Sequence, residues 1–161
     1  MPLVRDLHAL EALPLRLLII AIVAGLSIMP AADVLESLRD RNFIQRCELQ
    51  LDTAMRTAQA ISIEGLGAVR TVHLDFTSDG RLQMASLTVG DEWGKPCMTS
   101  IVLELSSGGR MARTAMQPAI WLTSEDLDGL YIIAEAFDLR LEVASYDSVP
   151  TIVCEALPWT S

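Results

Sequence analysis

Hydrophobic and polar positions follow three different rhythms along this chain. From Leu17 to Ala32 there is almost no rhythm: LLIIAIVAGLSIMPAA is apolar or small throughout. A helix of these residues has no polar face between Leu17 and Ile28, which suits lipid and not the core of a small domain. From Ile44 the spacing becomes three and four. Ile44, Cys47, Leu51, Met55, Ala58 and Ile61 make one stripe about five turns long, with Arg46, Glu48, Asp52 and Arg56 as the solvated face. Asp33 and Glu36 have the spacing of a capping box. Coming just after Pro30, they predict a kink there and a fresh helical start. Gly65 and Gly67 end the helix.

Beyond Gly67 the period drops to two. Val72, Leu74 and Phe76 alternate with His73 and Asp75, and Ser78-Asp79-Gly80 reads as a hairpin turn. The return strand, Leu82 to Val89, changes phase near Ala85-Ser86, as a bulge would make it do. Ile101, Leu103 and Leu105 alternate, Ser106 to Gly109 turns, and Arg110 to Met116 returns. Leu139, Leu141 and Val143 alternate, and Thr151 to Leu157 closes the domain. Tyr131 to Phe137 fits a strand or a short helix. The expected fold class is α+β: a long N-terminal helix, apolar then amphipathic with a kink near Pro30, packed on a small antiparallel β-sheet head. The helix covers residues 7–32 and the head 33–161.

The apolar run is short for a span, which takes roughly 20 residues. Counting back to Leu13 reaches that length by including Arg16, whose stem can snorkel to the headgroups. A cleavable secretory signal is the competing reading, with Arg5 and Arg16 as its basic region and Pro30-Ala31-Ala32 as its cleavage zone. Asp6 and Glu11 cancel that basic charge, so an anchor is preferred. Arg5 and Arg16 precede the run, but Arg39, Arg41 and Arg46 follow it, and the positive-inside bias is small. A short N-terminal tail and a large C-terminal domain favour a head outside the membrane.

Charge narrows the partners. The formal net charge of −9 belongs to the head, because Arg5 and Arg16 balance Asp6 and Glu11. An acidic head with no basic, aromatic-rich patch excludes nucleic acid. The three cysteines, Cys47, Cys97 and Cys154, lack metal spacing. They read either as buried thiols or as one disulfide, with Cys97–Cys154 the favoured pair because both lie in the β-rich half. His8 and His73 have no third ligand nearby. Ser124-Glu125-Asp126-Leu127-Asp128-Gly129 is acidic but lacks the remaining ligands of a calcium loop, and a capped turn is the better reading. Trp93 and Trp121 read as core residues, and Trp159, beside Pro158, as an exposed contact. No catalytic triad, P-loop or dinucleotide fingerprint can be assembled. The expectation is therefore no enzyme, no cofactor and no metal.

A long N-terminal helix, apolar then amphipathic, carrying a β-rich head resembles the type IV pilin superfamily, with its pseudopilins and archaeal pilin-like proteins. Its members are cut by a prepilin peptidase after a basic residue and, usually, glycine, and a glutamate commonly follows at the fifth mature position. Arg5-Asp6-Leu7-His8-Ala9-Leu10-Glu11 matches with Asp6 in the glycine's place. The resemblance implies a leader over residues 1–6 and a cut between Asp6 and Leu7. It also implies that Glu11 pairs with a neighbouring subunit's new N-terminal amine. An unpaired carboxylate in lipid costs at least several kcal/mol, so Glu11 either makes that pair or lies at the headgroups. The chain is then expected to be a membrane-held subunit of an extracellular, cell-surface filament, partnering the membrane, copies of itself and other pilin-like subunits. The alternative is a single-pass anchored or secreted binding domain. A pilin would lose about six residues, a secreted module everything through about Ala32, and an anchored module nothing.

Overall fold

The computed structural model describes the backbone of residues 4–159 except 92–94 and 116–118, and the side chains of the same residues except 4–14, 26–31 and 96–97. The chain divides into two compact units, Met1–Arg39 and Asp40–Ser161. Helical backbone covers Val4–Glu64 (α1), and its fully described stretches are 15–25 and 32–64. The kink expected near Pro30 lies outside the described side chains.

In the second unit α1 buries Phe43, Cys47, Leu51, Ala54, Met55, Ala58 and Ile61, none of them more than 6% exposed. Steps of three, four and one keep these residues on one face. Ile44, assigned to the stripe by spacing, is only half-buried, and Phe43 fills the end of the stripe instead. The helix stops where expected. Gly65 and Gly67 take φ of 98° and 84°, left-handed values that cost a glycine little.

Among the described residues eight strands follow: β1 (Val69–Asp75), β2 (Met84–Val89), β3 (Ser100–Leu105), β4 (Arg110–Thr114), β5 (Trp121–Thr123), β6 (Leu130–Ile132), β7 (Ala136–Tyr146) and β8 (Val149–Pro158). They form two four-stranded sheets, ordered β1-β7-β8-β5 and β4-β3-β2-β6. This corrects the expected fold class. The head is not a small antiparallel sheet under a long helix: it has two sheets, and in the first of them β5 runs parallel to β8. The reason lies partly at Ser78-Asp79-Gly80, where no hairpin closes. β1 pairs with β7, and β2 pairs with β3 and β6, so the chain changes sheets at that turn. Eight strands also carry more apolar surface than one helix stripe can cover. The buried faces of both sheets join the stripe in a single core.

Other local expectations stand. The phase change in β2 is a register shift between Met84 and Ser86. β3 and β4 form the second hairpin, with Gly108 at φ 81°. Tyr131 to Phe137 resolves into β6 and the start of β7. In β7, Phe137, Leu139, Leu141 and Val143 all face the core. Asp147 and Ser148, at φ 48° and 67°, turn the chain into β8, and two successive positive values are the backbone of a tight hairpin loop matched to strand twist. Among the described glycines the tightest approach is at Gly90, φ 71°, where any Cβ would collide with the carbonyl of Leu122. Its N–H donates to the Ser100 carbonyl at 2.8 Å. The end of β2 is thus pressed against β5 of the other sheet.

Candidate functional site

In the first unit the described apolar side chains face solvent on all sides. Leu15, Leu17, Leu18, Ile19, Ile20, Ile22 and Val23 are each at least half exposed. Leu17 to Ile20 are consecutive, and at about 100° per residue four of them circle the helix. Among the described residues no helix is long and apolar enough to cross a membrane. The side chains of the run Leu17–Ala32 are described only at 17–25 and 32. The side chains of Arg5, Asp6, Leu7, His8 and Glu11, which carry the expected processing and pairing sites, lie outside the described residues.

The head is tied to its helical part by polar side chains, among them Arg46 and Asp52, which the spacing assigned to a solvated face. The Gln50 amide donates to the Asp75 carbonyl at 2.5 Å, and its carbonyl oxygen accepts the Asp75 N–H at 2.7 Å. It thereby occupies both backbone groups of the last residue of edge strand β1. Arg46 donates to the Thr77 carbonyl, and the Asp40 carboxylate accepts the N–H groups of Arg81 and Leu82 at 3.2 Å. Asp52, read as part of a solvated face, is half-buried and pairs with Arg113 of β4. A hydrogen bond from Thr77 holds the Asp75 carboxyl below its ordinary range, with the charges of Arg46 and His73 adding to the effect.

The solvent side of the first sheet carries a second polar group. His73 Nδ1 lies 2.9 Å from the Asp138 carboxylate, and the Trp159 ring packs on the imidazole at 4.7 Å between centroids. Trp159 remains half exposed. Arg140 bridges Glu142 on its own strand and Glu155 on β8. Among the described residues no hydroxyl or thiol is hydrogen-bonded to His73. Ser124 to Gly129 is a turn closed by the Ser124 and Leu127 N–H groups. Among the described residues no three His, Cys, Asp or Glu side chains gather as a metal site.

The cysteines of the core are thiols. Burial pushes Cys47 up to about 11 and Cys154 up to about 12, so both stay protonated and inert at neutral pH. The expected Cys97–Cys154 pair is one-sided in this respect: Cys154 carries a free thiol, and the Cys97 side chain lies outside the described residues, as does Trp93.

One concavity is apolar. Between the end of α1 and the β7–β8 hairpin lies a half-open pocket of about 380 Å³, walled chiefly by Ile120, Trp121, Val143, Pro150 and Ile152, with Ser62 at its edge. Trp121, read from sequence as core, is half-buried in this wall. At the β6 edge of the second sheet, Tyr131 and Ile133 stand 66% and 71% exposed. The doublet Ile132-Ile133 was a legible signal for that knob: strand alternation buries one and must expose the other. The pocket had no such signal, because its walls come from four separate stretches of chain. No family model, curated protein or solved structure matches this chain.

Proposed function

We propose that this chain is a pilin-like subunit. Its N-terminal helix holds it in the membrane with the head outside, and the subunit assembles into, or primes, a surface filament of the type IV pilus kind. The observation that supports this reading is the apolar helical stretch 15–25, exposed on every face, beside a head whose own core is closed. Such a stretch is stable in lipid or against copies of itself, and water provides neither. Glu11 would give the copies their register by meeting a neighbour's free amine, released by a prepilin peptidase cutting between Asp6 and Leu7. The apolar pocket at Trp121 is the observation on the side of the other reading, an anchored or secreted binding domain.

The mass and N-terminal sequence of the protein recovered from membranes test the proposal. A chain that begins at Leu7 and cross-links into oligomers that Glu11→Ala abolishes is the expected result. A mature terminus at Asp33, or an intact Met1 on a chain that stays monomeric in membranes, would leave the binding domain.

A further inference from the structure

We infer that the open edge of β1 takes a strand from another protein: an extended peptide segment carrying a carboxylate, laid into the groove between β1 and α1. This goes beyond the filament reading and holds for a filament subunit or an anchored head alike.

β1 is an edge strand, paired on one side only, with β7. In an antiparallel pair every second residue turns both backbone groups toward the partner, and the residues between turn both away. The Phe76 N–H donates to the Glu135 carbonyl, and the Ala68 carbonyl accepts the Val143 N–H. With the register unbroken between them, Arg70, Val72 and Leu74 face β7, while Val69, Thr71, His73 and Asp75 face outward. The outward groups divide sharply. Those of Asp75 are both held by the Gln50 side chain. Next along, Thr77 gives its N–H to the Asp75 carboxylate, and its carbonyl accepts from Arg46. Among the described residues nothing engages the outward N–H or carbonyl of Val69, Thr71 or His73.

Gln50 shows what kind of group belongs on this edge. Its carboxamide donates one hydrogen bond to Asp75 and accepts one from it, as a residue of an added antiparallel strand would. The structure thus holds one peptide-like unit already, and the next three outward residues repeat the pattern it satisfies. A bare row of this kind is a template for another chain, whose main-chain hydrogen bonds supply the affinity.

The groove beside the open stretch selects the segment. It measures about 470 Å³ and is lined by Thr53, Arg56, Thr57, Ala60 and Glu64 of α1 and by Arg70 of β1. Its far wall is α1, so a single strand fits where a second sheet, carrying its own helix, would meet α1. This argues against two copies pairing edge to edge. Thr53 and Thr57 spend their hydroxyl protons on helix carbonyls, and Glu64 is taken by Arg70 at 2.8 Å. Arg56 is exposed and makes no ion pair among the described residues. An available guanidinium beside an open edge is the complement of a carboxylate on the incoming strand.

The probe is a capped pentapeptide, Thr-Glu-Val-Glu-Thr, added at millimolar concentration to the full-length chain in detergent and read by amide hydrogen exchange. The Thr71 and His73 amides should slow severalfold, whereas Val72 and Leu74, which already face β7, should not change. Methylating the peptide nitrogens should abolish the protection, since strand addition needs those N–H groups and charge attraction does not. Replacing both peptide glutamates by glutamine, or Arg56→Gln in the head, should each weaken binding about two- to fivefold. Together they should cost no more than either alone. Protection that maps away from β1, survives methylation or fails to appear overturns the inference, and a glutamine peptide that binds equally well overturns the acidic partner. Protection of Thr71 and His73 that arises without peptide, as the chain is concentrated, would overturn it in favour of a second copy. The filament reading is decided at the N-terminus, so its failure and this one are told apart.

Discussion

Residues 15–25 and 43–61 belong to the same stretch of helical assignment and are both rich in leucine, isoleucine and alanine, yet their burial is opposite. In the first, the large apolar side chains are each at least half exposed; in the second, seven apolar side chains are nearly or wholly buried. The first is the more apolar of the two and yet the more exposed. Spacing is what differs in kind: the second stretch interrupts its apolar positions with Arg46, Glu48, Asp52 and Arg56, so one face is apolar and two sheets can cover it. The first has no polar face, and no sheet can cover a helix from all sides at once. A stripe is satisfied within a domain, whereas an all-round apolar surface needs lipid or other chains.

The comparison breaks most sharply with truncations on each side. Leu51→Ala removes a fully buried side chain and should cost about 2–5 kcal/mol. Ile19→Ala should move the same denaturant midpoint by less than about 0.5 kcal/mol. Urea titrations of the two variants in detergent decide the matter, and equal losses would mean that the two stretches are covered alike. The next effect in size concerns the polar side of the buried stretch. Gln50→Leu strips both backbone partners from half-buried Asp75, and should cost about 1 kcal/mol, the usual net worth of such hydrogen bonds where water can partly replace them. Hydrogen exchange should quicken at Asp75 in that variant and stay unchanged in β3, and uniform quickening would mean that the side chain merely adds global stability.

How much of this was legible beforehand follows from the kind of signal each feature leaves. The stripe apart from Ile44, the glycines that end it, the β2 bulge and the alternation of β7 are local signals, and they are where the residues predicted. The partner of each strand is not local. Val72, Leu74 and Phe76 announce a strand, but nothing in them says that β7, more than sixty residues on, is its neighbour. The turn at Ser78-Asp79-Gly80 therefore looked like a hairpin and is a crossing between sheets. Three-residue strands such as Trp121–Thr123 are too short to show a period at all. Gln50 carried no signal of its own, because its role depends on the edge strand beside it. The residues from Arg5 to Glu11 carry the motif of pilin-type processing, and their chemistry is read from sequence alone.

The smallest effect at neutral pH sharpens the comparison from the core. Both buried thiols titrate higher in the folded head than the ordinary thiol near 9. A raised folded value contributes stability that is complete below about pH 9 and is lost as pH rises through the folded values of about 11 and about 12. The urea midpoint should hold steady from pH 7 to 8.5 and decline above 9. The variant with Cys47→Ala and Cys154→Ala should decline less steeply over the same range. A slope unchanged by removing both thiols would assign the alkaline loss to other groups.

Gly90 has a consequence for the history of the chain. Because a single added carbon there meets the Leu122 carbonyl, the two sheets could accept a side chain only by parting. Surface positions are free to drift, and core positions can trade one apolar shape for another, but position 90 has one acceptable letter. Descendants of this head that keep both sheets should keep that glycine after the rest of the sequence has become unrecognisable. A glycine that ends one strand and lies against a short, parallel three-residue strand would then be the mark by which distant kin are known.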